Sequence, residues 1–323
     1  MNNIIFENYC PTVSVFMMAY NHEKYINQAI ECILMQKTNF NFDIVIGEDF
    51  STDKTRQIIL DYQLKYPSKF KLLLHKKNIG AMANQMAVLK ACTGKYIALC
   101  EGDDYWTDPY KLQKQVDFMD ANEGYSMCGH RFQYFYQETG EFKDDYFEKM
   151  FTNNQKQITL TLEDFYWGTI PQILTLMIRR DALDINHMLK FKNAIDVVLY
   201  YCLFIKGNAG ILDFVGGVYR KHDNGVYSKL NTYGELKRDT LIFQDLFKVE
   251  NTIELQAIYL NKLKAFLYQY IKYEKKLSIT LLNELIKDFH KIEKSNKTKL
   301  YIHIRLIKAL TIRFLKKKIK YHE

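Results

Sequence analysis

Between Val13 and Cys100, four short apolar runs (VSVFMM, FDIVIG, FKLLLH and YIALC) alternate with three segments whose apolar residues recur at helical spacing. Such alternation marks an α/β domain with a largely parallel sheet, because parallel neighbours need a long crossover between them, usually a helix. The helical segments are residues 25–35, with Ile26, Ile30, Ile33 and Leu34 on one face, then 54–66, stopped at Pro67, and 81–91. Each apolar run is followed by polar residues that a bare turn does not require: AYNHE, EDFSTD, NIG and EGDD. Ligands of open α/β sheets bind outside the carboxyl ends of the strands, so these loops are expected to converge on one site.

Past EGDDYW, Asp108 reads as an N-cap and Pro109 as the first residue of a helix ending near Gly124. Residues 125–230 show further strand-like runs (MCGHRFQYFYQ, QILTLMIRR, GILDFVGGVYR) around a helix that starts near Asp196. From about Tyr233 the pattern is helical and Lys-rich. The expected organisation is therefore 1–124 as a nucleotide-binding α/β half, 125–230 as an acceptor-binding half, and 231–323 as a helical, basic extension.

A chain of 323 residues that is 48% hydrophobic has ample material for a core and is too apolar for disorder. No apolar run approaches the ~18 residues that span a bilayer, and the first residues lack a secretory leader's pattern. The six cysteines are scattered with no CxxC pair, which reads as reduced thiols in a cytoplasmic protein. The net charge of +8 is concentrated in residues 294–322, which hold ten Lys/Arg and no acid. There Leu300, Ile304, Ile307, Leu310 and Phe314 share one side of a helical wheel, with Arg305, Lys308, Arg313, Lys316 and Lys320 broadly opposite. Two readings weigh equally: a helix on an anionic membrane surface, or one packed on the catalytic domain with a solvated basic edge.

The strongest chemical signal is Glu101-Gly102-Asp103-Asp104, three carboxylates in four residues directly after a buried strand. Like charges gathered on a tight turn are costly unless a cation offsets them, and oxygen ligands there suit Mg²⁺ or Mn²⁺ bound jointly with substrate phosphates; the alternative, that Asp103 and Asp104 merely cap or solvate a turn, is outweighed by the preceding buried strand. Glu48 and Asp49 repeat the arrangement after the second strand; a carboxylate at that place can accept a hydrogen bond from the imide N–H of a uracil or thymine ring. Asp53, by contrast, is a helix cap. Ala19 and Tyr20 end the first strand, a place for backbone groups to read a base edge and for the tyrosine ring to stack on it, although taken alone Tyr20 reads as one surface tyrosine among 24. Asp196, ahead of a long apolar helix, is either an N-cap or a general base. Arg220 and His222, two apart, suit a departing diphosphate, Arg by charge-assisted hydrogen bonds and His by hydrogen bonding or metal ligation. Neither GxGxxG nor GxxxxGK[ST] is present.

In combination, VSVFMMAYNHEKYINQAIECILMQ, IVIGEDFSTDKTRQII, NIGAMANQ, TGKYIALCEGDDYWTDPYKLQKQ, AIDVVLYYCLFIKG and VYRKHDNGVYS, in that order over residues 12–228, resemble the family 2 glycosyltransferases. The resemblance implies the GT-A fold, a Rossmann-like sheet with helices on both faces. It also implies inverting transfer of a sugar, hexosyl or N-acetylhexosaminyl, from a nucleoside diphosphate donor. Glu48 or Asp49 would contact the base, with Ala19, Tyr20, Asn84 and Gly102 in the donor site and Glu101 at the ribose. Asp103 would bind the metal together with His222, Asp196 would act as base, and Arg220 would lie beside the diphosphate. GEDF stands where many relatives have DDG, and EGDD replaces a leading Asp by Glu. The QxxRW element and membrane spans of processive synthases are missing, which points to single additions. The acceptor is expected to be a glycan or lipid-linked saccharide, in bacterial surface polysaccharide assembly.

Two rivals are weaker. A sugar-nucleotide nucleotidyltransferase should carry a Gly-rich, basic loop after the first strand, and AYNHEKY has no glycine. A non-catalytic module binding membrane or nucleic acid fits poorly with a neutral body and no nucleic-acid motif, so no nucleic-acid partner is expected.

Overall fold

The computed structural model describes residues 11–152, 155–192, 196–223, 232–273, 279–295 and 299. The chain divides into two compact units, residues 1–189 with 194–222 and residues 190–193 with 223–323.

The first unit opens with the expected alternation: β1 (Val13–Ala19), α1 (Ile26–Leu34), β2 (Phe42–Glu48), α2 (Thr55–Lys65), β3 (Phe70–Leu74), α3 (Ala81–Ala91) and β4 (Tyr96–Leu99). It continues through β5 (Tyr105–Trp106), α4 (Lys111–Ala121), β6 (Tyr125–Tyr136), β7 (Glu141–Asp144), β8 (Gln157–Leu160), α5 (Leu162–Tyr166), β9 (Met177–Arg179), α6 (Ile185–Met188), α7 (Asp196–Phe204) and β10 (Asn208–Lys221). All ten strands form one sheet, in the order β3-β2-β1-β4-β9-β6-β10-β5, with β7 on β6 and β8 on β10. β1 is parallel to β2 and β4, and β2 to β3. β9 is antiparallel to both β4 and β6, and β6 is parallel to β10. Consequently β1, β2, β3, β4, β6 and β10 all end at the same edge of the sheet.

Alternation along the strands covers both faces. Val13, Val15, Met17 and Ala19 join Ile26, Ile30 and Ile33 of α1 in one core cluster. On the other face, a Cβ on Gly47 would lie 2.1 Å from Asn84 Oδ1 and 2.4 Å from Val88, so α3 packs directly on the β2 backbone. The helix expected from Pro109 begins later, at Lys111. The Asp108 carboxylate accepts from Tyr110 N (2.8 Å), forming a turn ahead of the helix rather than a cap on it. QILTLMIRR also departs from a simple strand, giving a 3-10 turn (Ile173–Thr175) before the three residues of β9.

α4 carries a buried cation. Lys111 is fully buried, its ammonium 3.7 Å from the centre of the Trp106 ring and without a hydrogen-bond partner among the described residues. Burial pushes its pKa down to about 7 against the opposing pull of the Cys100, Cys128 and Cys32 thiols. Below about 7 the lysine is charged in both folded and unfolded chains and the burial penalty stands in full. From about 7 to 10.5 only the unfolded chain keeps the proton, so stability rises with pH across that window. Lys111→Met is expected to stabilise the protein by roughly 1–3 kcal/mol at pH 6.5, the gain shrinking as pH approaches 10. Urea midpoints of both proteins across that range measure it.

The second unit is helical: α8 (Thr232–Glu250), α9 (Ile253–Tyr273) and α10 (Ile279–Ile292). Buried Leu246, Tyr259, Leu263, Phe266, Leu285 and Phe289 supply apolar faces, and Asp288 accepts from both Gln244 (2.8 Å) and Tyr259 (2.9 Å). No helix among the described residues is long and apolar enough to cross a membrane. The basic amphipathic pattern from Leu300 onward lies outside the described residues. Cys32, Cys92, Cys100, Cys128 and Cys202 are buried free thiols.

Candidate active site

The acidic loop leaves β4 along the β1 backbone: Cys100 N donates to Phe16 O (3.0 Å) and Gly102 N to Met18 O (3.1 Å). Only glycine fits at 102, since a Cβ would lie 2.7 Å from His22 Nδ1 and 3.1 Å from Met18 O. The chain then turns, and β5 pairs antiparallel with β10 (Tyr105 opposite Val218, Trp106 opposite Gly217). That pairing carries the end of β10 to the acidic loop. Carboxylate oxygens of Glu101, Asp103 and Asp104 lie within 4.8 Å of one another. His222 Nε2 is 3.1 Å from Asp103 Oδ2, and His22 Nε2 is 3.8 Å from the same oxygen.

The three carboxyls are electrostatically unequal. Burial works to raise the Asp103 pKa, but His22 and the His222 hydrogen bond together hold it below the usual carboxylate value. Glu101 is pushed well above the usual value by burial, then by the charges of Asp103 and Asp196. Asp104 is likewise raised well above it by burial and its two acidic neighbours, against the pull of its bond to Arg220 N (2.8 Å) and the Arg220 charge. Asp196, first residue of α7, is thus close enough for Glu101 to feel its charge.

This donor set fits a divalent cation. The 3.1 Å between His222 Nε2 and Asp103 Oδ2 matches neighbouring ligand positions around an octahedral ion with ~2.1 Å bonds, which are about 3.0 Å apart. Carboxylate oxygens with one imidazole nitrogen suit Mn²⁺ or Mg²⁺.

At the tips of β1 and β2 the two loops are cross-bonded. Asn21 N donates to Ser51 Oγ (3.0 Å), Thr52 N to Asn21 Oδ1 (2.9 Å), His22 N to Thr55 Oγ1 (2.7 Å), and Glu23 N to Asp53 Oδ2 (3.1 Å). Asp53 also accepts from Thr55 N (2.9 Å), a turn just ahead of α2, whose N-cap position is Lys54 rather than the expected Asp53. Asn21 and Phe50 both adopt left-handed backbone conformations (φ 56° and 61°), and Tyr20 and Phe50 stand exposed beside them.

Several residues expected to touch the donor are turned inward instead. The fully buried Glu48 carboxylate is held by the Arg56 guanidinium and by Ser51 N (2.6 Å). Asp49 accepts from Ile79 N (2.7 Å) and Gly80 N (3.0 Å), bracing the loop after β3. Asn84 donates to Gly47 O (2.9 Å), and its Oδ1 pairs with His75 Nε2 (2.9 Å), so both ends of its amide serve the fold. The Ala19 carbonyl is taken by Asp49 N (3.0 Å). Arg220, expected at the diphosphate, is also enclosed, with all three guanidinium nitrogens bonded within the protein.

The site residues fall into two groups. Glu101, Asp103, Asp104, Arg220 and His222 converge around the acidic loop, with the Asp196 charge felt by Glu101, whereas Glu48, Asp49 and Asn84 belong to the network behind β2. Three participants escaped the sequence reading: His22, Gln28 and Gln137. His22 had a signal, a histidine in a polar loop at a strand tip; the two glutamines had none.

Comparison with known proteins agrees with this architecture. A profile described as Glycosyl transferase family 2 matches residues 14–184. The uncharacterized protein Rv1520 of Mycobacterium tuberculosis is 33% identical over 220 residues, 68% of this chain and 62% of that protein. The chain thus spans under two thirds of that relative's length. TuaG of Bacillus subtilis, a putative teichuronic acid biosynthesis glycosyltransferase, is 26% identical over 241 residues, 74% of this chain and 90% of its own. Among solved structures, S. aureus TarS 1-349 in complex with UDP-GlcNAc gives a TM-score of 0.63 at 17% identity, covering 97% of this chain and 92% of that one. The mannosyltransferase PcManGT of Pyrobaculum calidifontis, in complex with GDP-Man and Mn²⁺, gives 0.53 at 14% identity, covering 96% and 89%. The structural likenesses establish the GT-A fold, and with the profile spanning more than half of the sequence, the chain belongs to glycosyltransferase family 2.

Proposed function

We propose that this protein transfers a sugar, with inversion, from a nucleoside diphosphate donor to a hydroxyl of a glycan or lipid-linked acceptor. The observation that carries this is the meeting of Glu101, Asp103 and Asp104 with His222 at the carboxyl edge of the sheet, with Asp196 at the start of α7 acting electrostatically on Glu101. Asp103 and His222 would hold the divalent ion, which when bound supplies positive charge against the departing diphosphate. Asp196 removes the acceptor hydroxyl proton as that oxygen bonds to the anomeric carbon. The bond from that carbon to the diphosphate oxygen breaks on the opposite face, and its electron pair leaves with the nucleoside diphosphate. Glu101 faces the ribose region, and Gly102 lets the loop run close against β1.

A uridine donor is favoured by TarS, whose structure holds UDP-GlcNAc. Because Glu48 and Asp49 are engaged internally, base contact falls mainly to the exposed Tyr20 and Phe50 rings and to backbone groups beside them. A role in surface polysaccharide assembly takes its support from TuaG. Thermal melts with a panel of nucleoside diphosphate sugars, each with and without Mn²⁺, test the reading. Stabilisation and slow donor hydrolysis are expected with a UDP-sugar and Mn²⁺ together; no response to any nucleotide sugar overturns it.

A further inference from the structure

We propose that Arg220 is a positioning residue that clamps the acidic loop, and that Gln28 and Gln137 act through it. The inference rests on reading that loop as the metal site. Arg220 N donates to Asp104 Oδ1 (2.8 Å) and Nε to Asp103 O (2.9 Å). Nη1 donates to Gln137 Oε1 (2.8 Å) and Nη2 to Gln28 Oε1 (2.6 Å). The guanidinium lies 4.9 Å from the Tyr25 ring centre, 5.1 Å from Tyr105 and 5.6 Å from Phe135. Arg220 as a whole is 8% exposed.

Four separate chain segments meet at this one side chain: α1, the acidic loop with β5, the end of β6, and the end of β10. Its side-chain partners are neutral oxygens, so no carboxylate among the described residues pairs with it directly, and the field reaches Asp104. A planar fork with fixed donor directions suits this task, because one group must bond Asp103 O, Gln28 and Gln137 at once while its faces pack on aromatic rings. A lysine keeps the charge but spans only part of that set. Gln28 and Gln137 lie at exposed positions, so trimming them removes bonds to Arg220 without opening a core. These bonds use three of the five guanidinium N–H donors, so the clamp and a direct diphosphate contact have to be separated by experiment.

The test uses the full chain, with Mn²⁺ alone as probe followed by electron paramagnetic resonance, and UDP binding in EDTA measured separately. Arg220→Met and Arg220→Lys are expected to weaken Mn²⁺ roughly 10- to 100-fold, the usual effect of losing an outer-shell partner. Gln28→Met and Gln137→Met should weaken it by smaller factors and add nothing further in the Arg220→Met background. UDP affinity without metal should not change in any of them. Unchanged Mn²⁺ affinity with loss of metal-free UDP binding in Arg220→Met would make Arg220 a direct diphosphate ligand and overturn the clamp. Glutamine variants equal to wild type, or additive with Arg220→Met, also overturn it. Should wild type bind Mn²⁺ no better than Asp103→Asn, the metal reading itself fails, and the clamp with it.

Discussion

Asp103→Asn is expected to reduce sugar transfer by about 10³-fold or more at saturating donor and Mn²⁺, with the response of thermal melts to Mn²⁺ lost. The substitution preserves size and the capacity to hydrogen-bond His222, so the loss is one of charge. Asp103 is the carboxyl of the three that stays ionised most readily, because His22 and His222 hold its pKa down while burial and mutual repulsion raise Glu101 and Asp104. Removing it takes the main anionic ligand from the site, and losing even one well-placed electrostatic contact typically lowers kcat by about 10²–10³. The neighbours respond in a definite direction. Part of what raises Glu101 and Asp104 is the Asp103 charge, so both titrate at lower pH in the variant. Transfer assays and Mn²⁺-dependent melts check the first claim, and carboxyl NMR titration of the metal-free protein checks the second. Transfer at wild-type rate would exclude Asp103 from the metal site.

Asp196→Asn is expected to show a different signature: kcat lower by about 10²–10⁴, with donor KM and Mn²⁺ affinity near wild type. Asn keeps the side chain's shape at the start of α7 but cannot accept the acceptor's proton. If Asp196 serves only as a helix cap, the amide caps almost as well and kcat is preserved. The distinction between kcat and KM therefore separates base from cap in a single set of assays. Glu101 also feels the Asp196 charge, so its carboxyl should titrate somewhat lower in this variant.

The three strand–helix units and the fourth strand before Cys100 were legible because each apolar run is short and bounded by polar residues, and the first three are followed by a clear helical period. The helix at 81–91 matches its expected bounds. Legibility fell where structure depends on pairing across the chain. β5 has two residues and exists only through its ladder to β10, and Asp108 was misplaced because a turn competed with the cap. In the site, the acidic loop was readable as three adjacent carboxylates, and Asp196 and His222 came with the ordered motifs. The Glu48 ion pair was not legible because its partner Arg56 sits eight residues on, across a loop, where no local spacing links the two. The Arg220 network was hidden for the same reason on a larger scale: its partners at 28, 103, 104 and 137 are assembled only by the sheet.

The bonds linking residues 21–23 to 51–55 leave those two stretches little independent freedom. The wall proposed above to carry the nucleoside is therefore built before any ligand arrives, and binding need not supply the entropy of ordering it. A switch of base preference in this protein would come from exchanging the protruding rings at positions 20 and 50, since lengthening either stretch would unpick both.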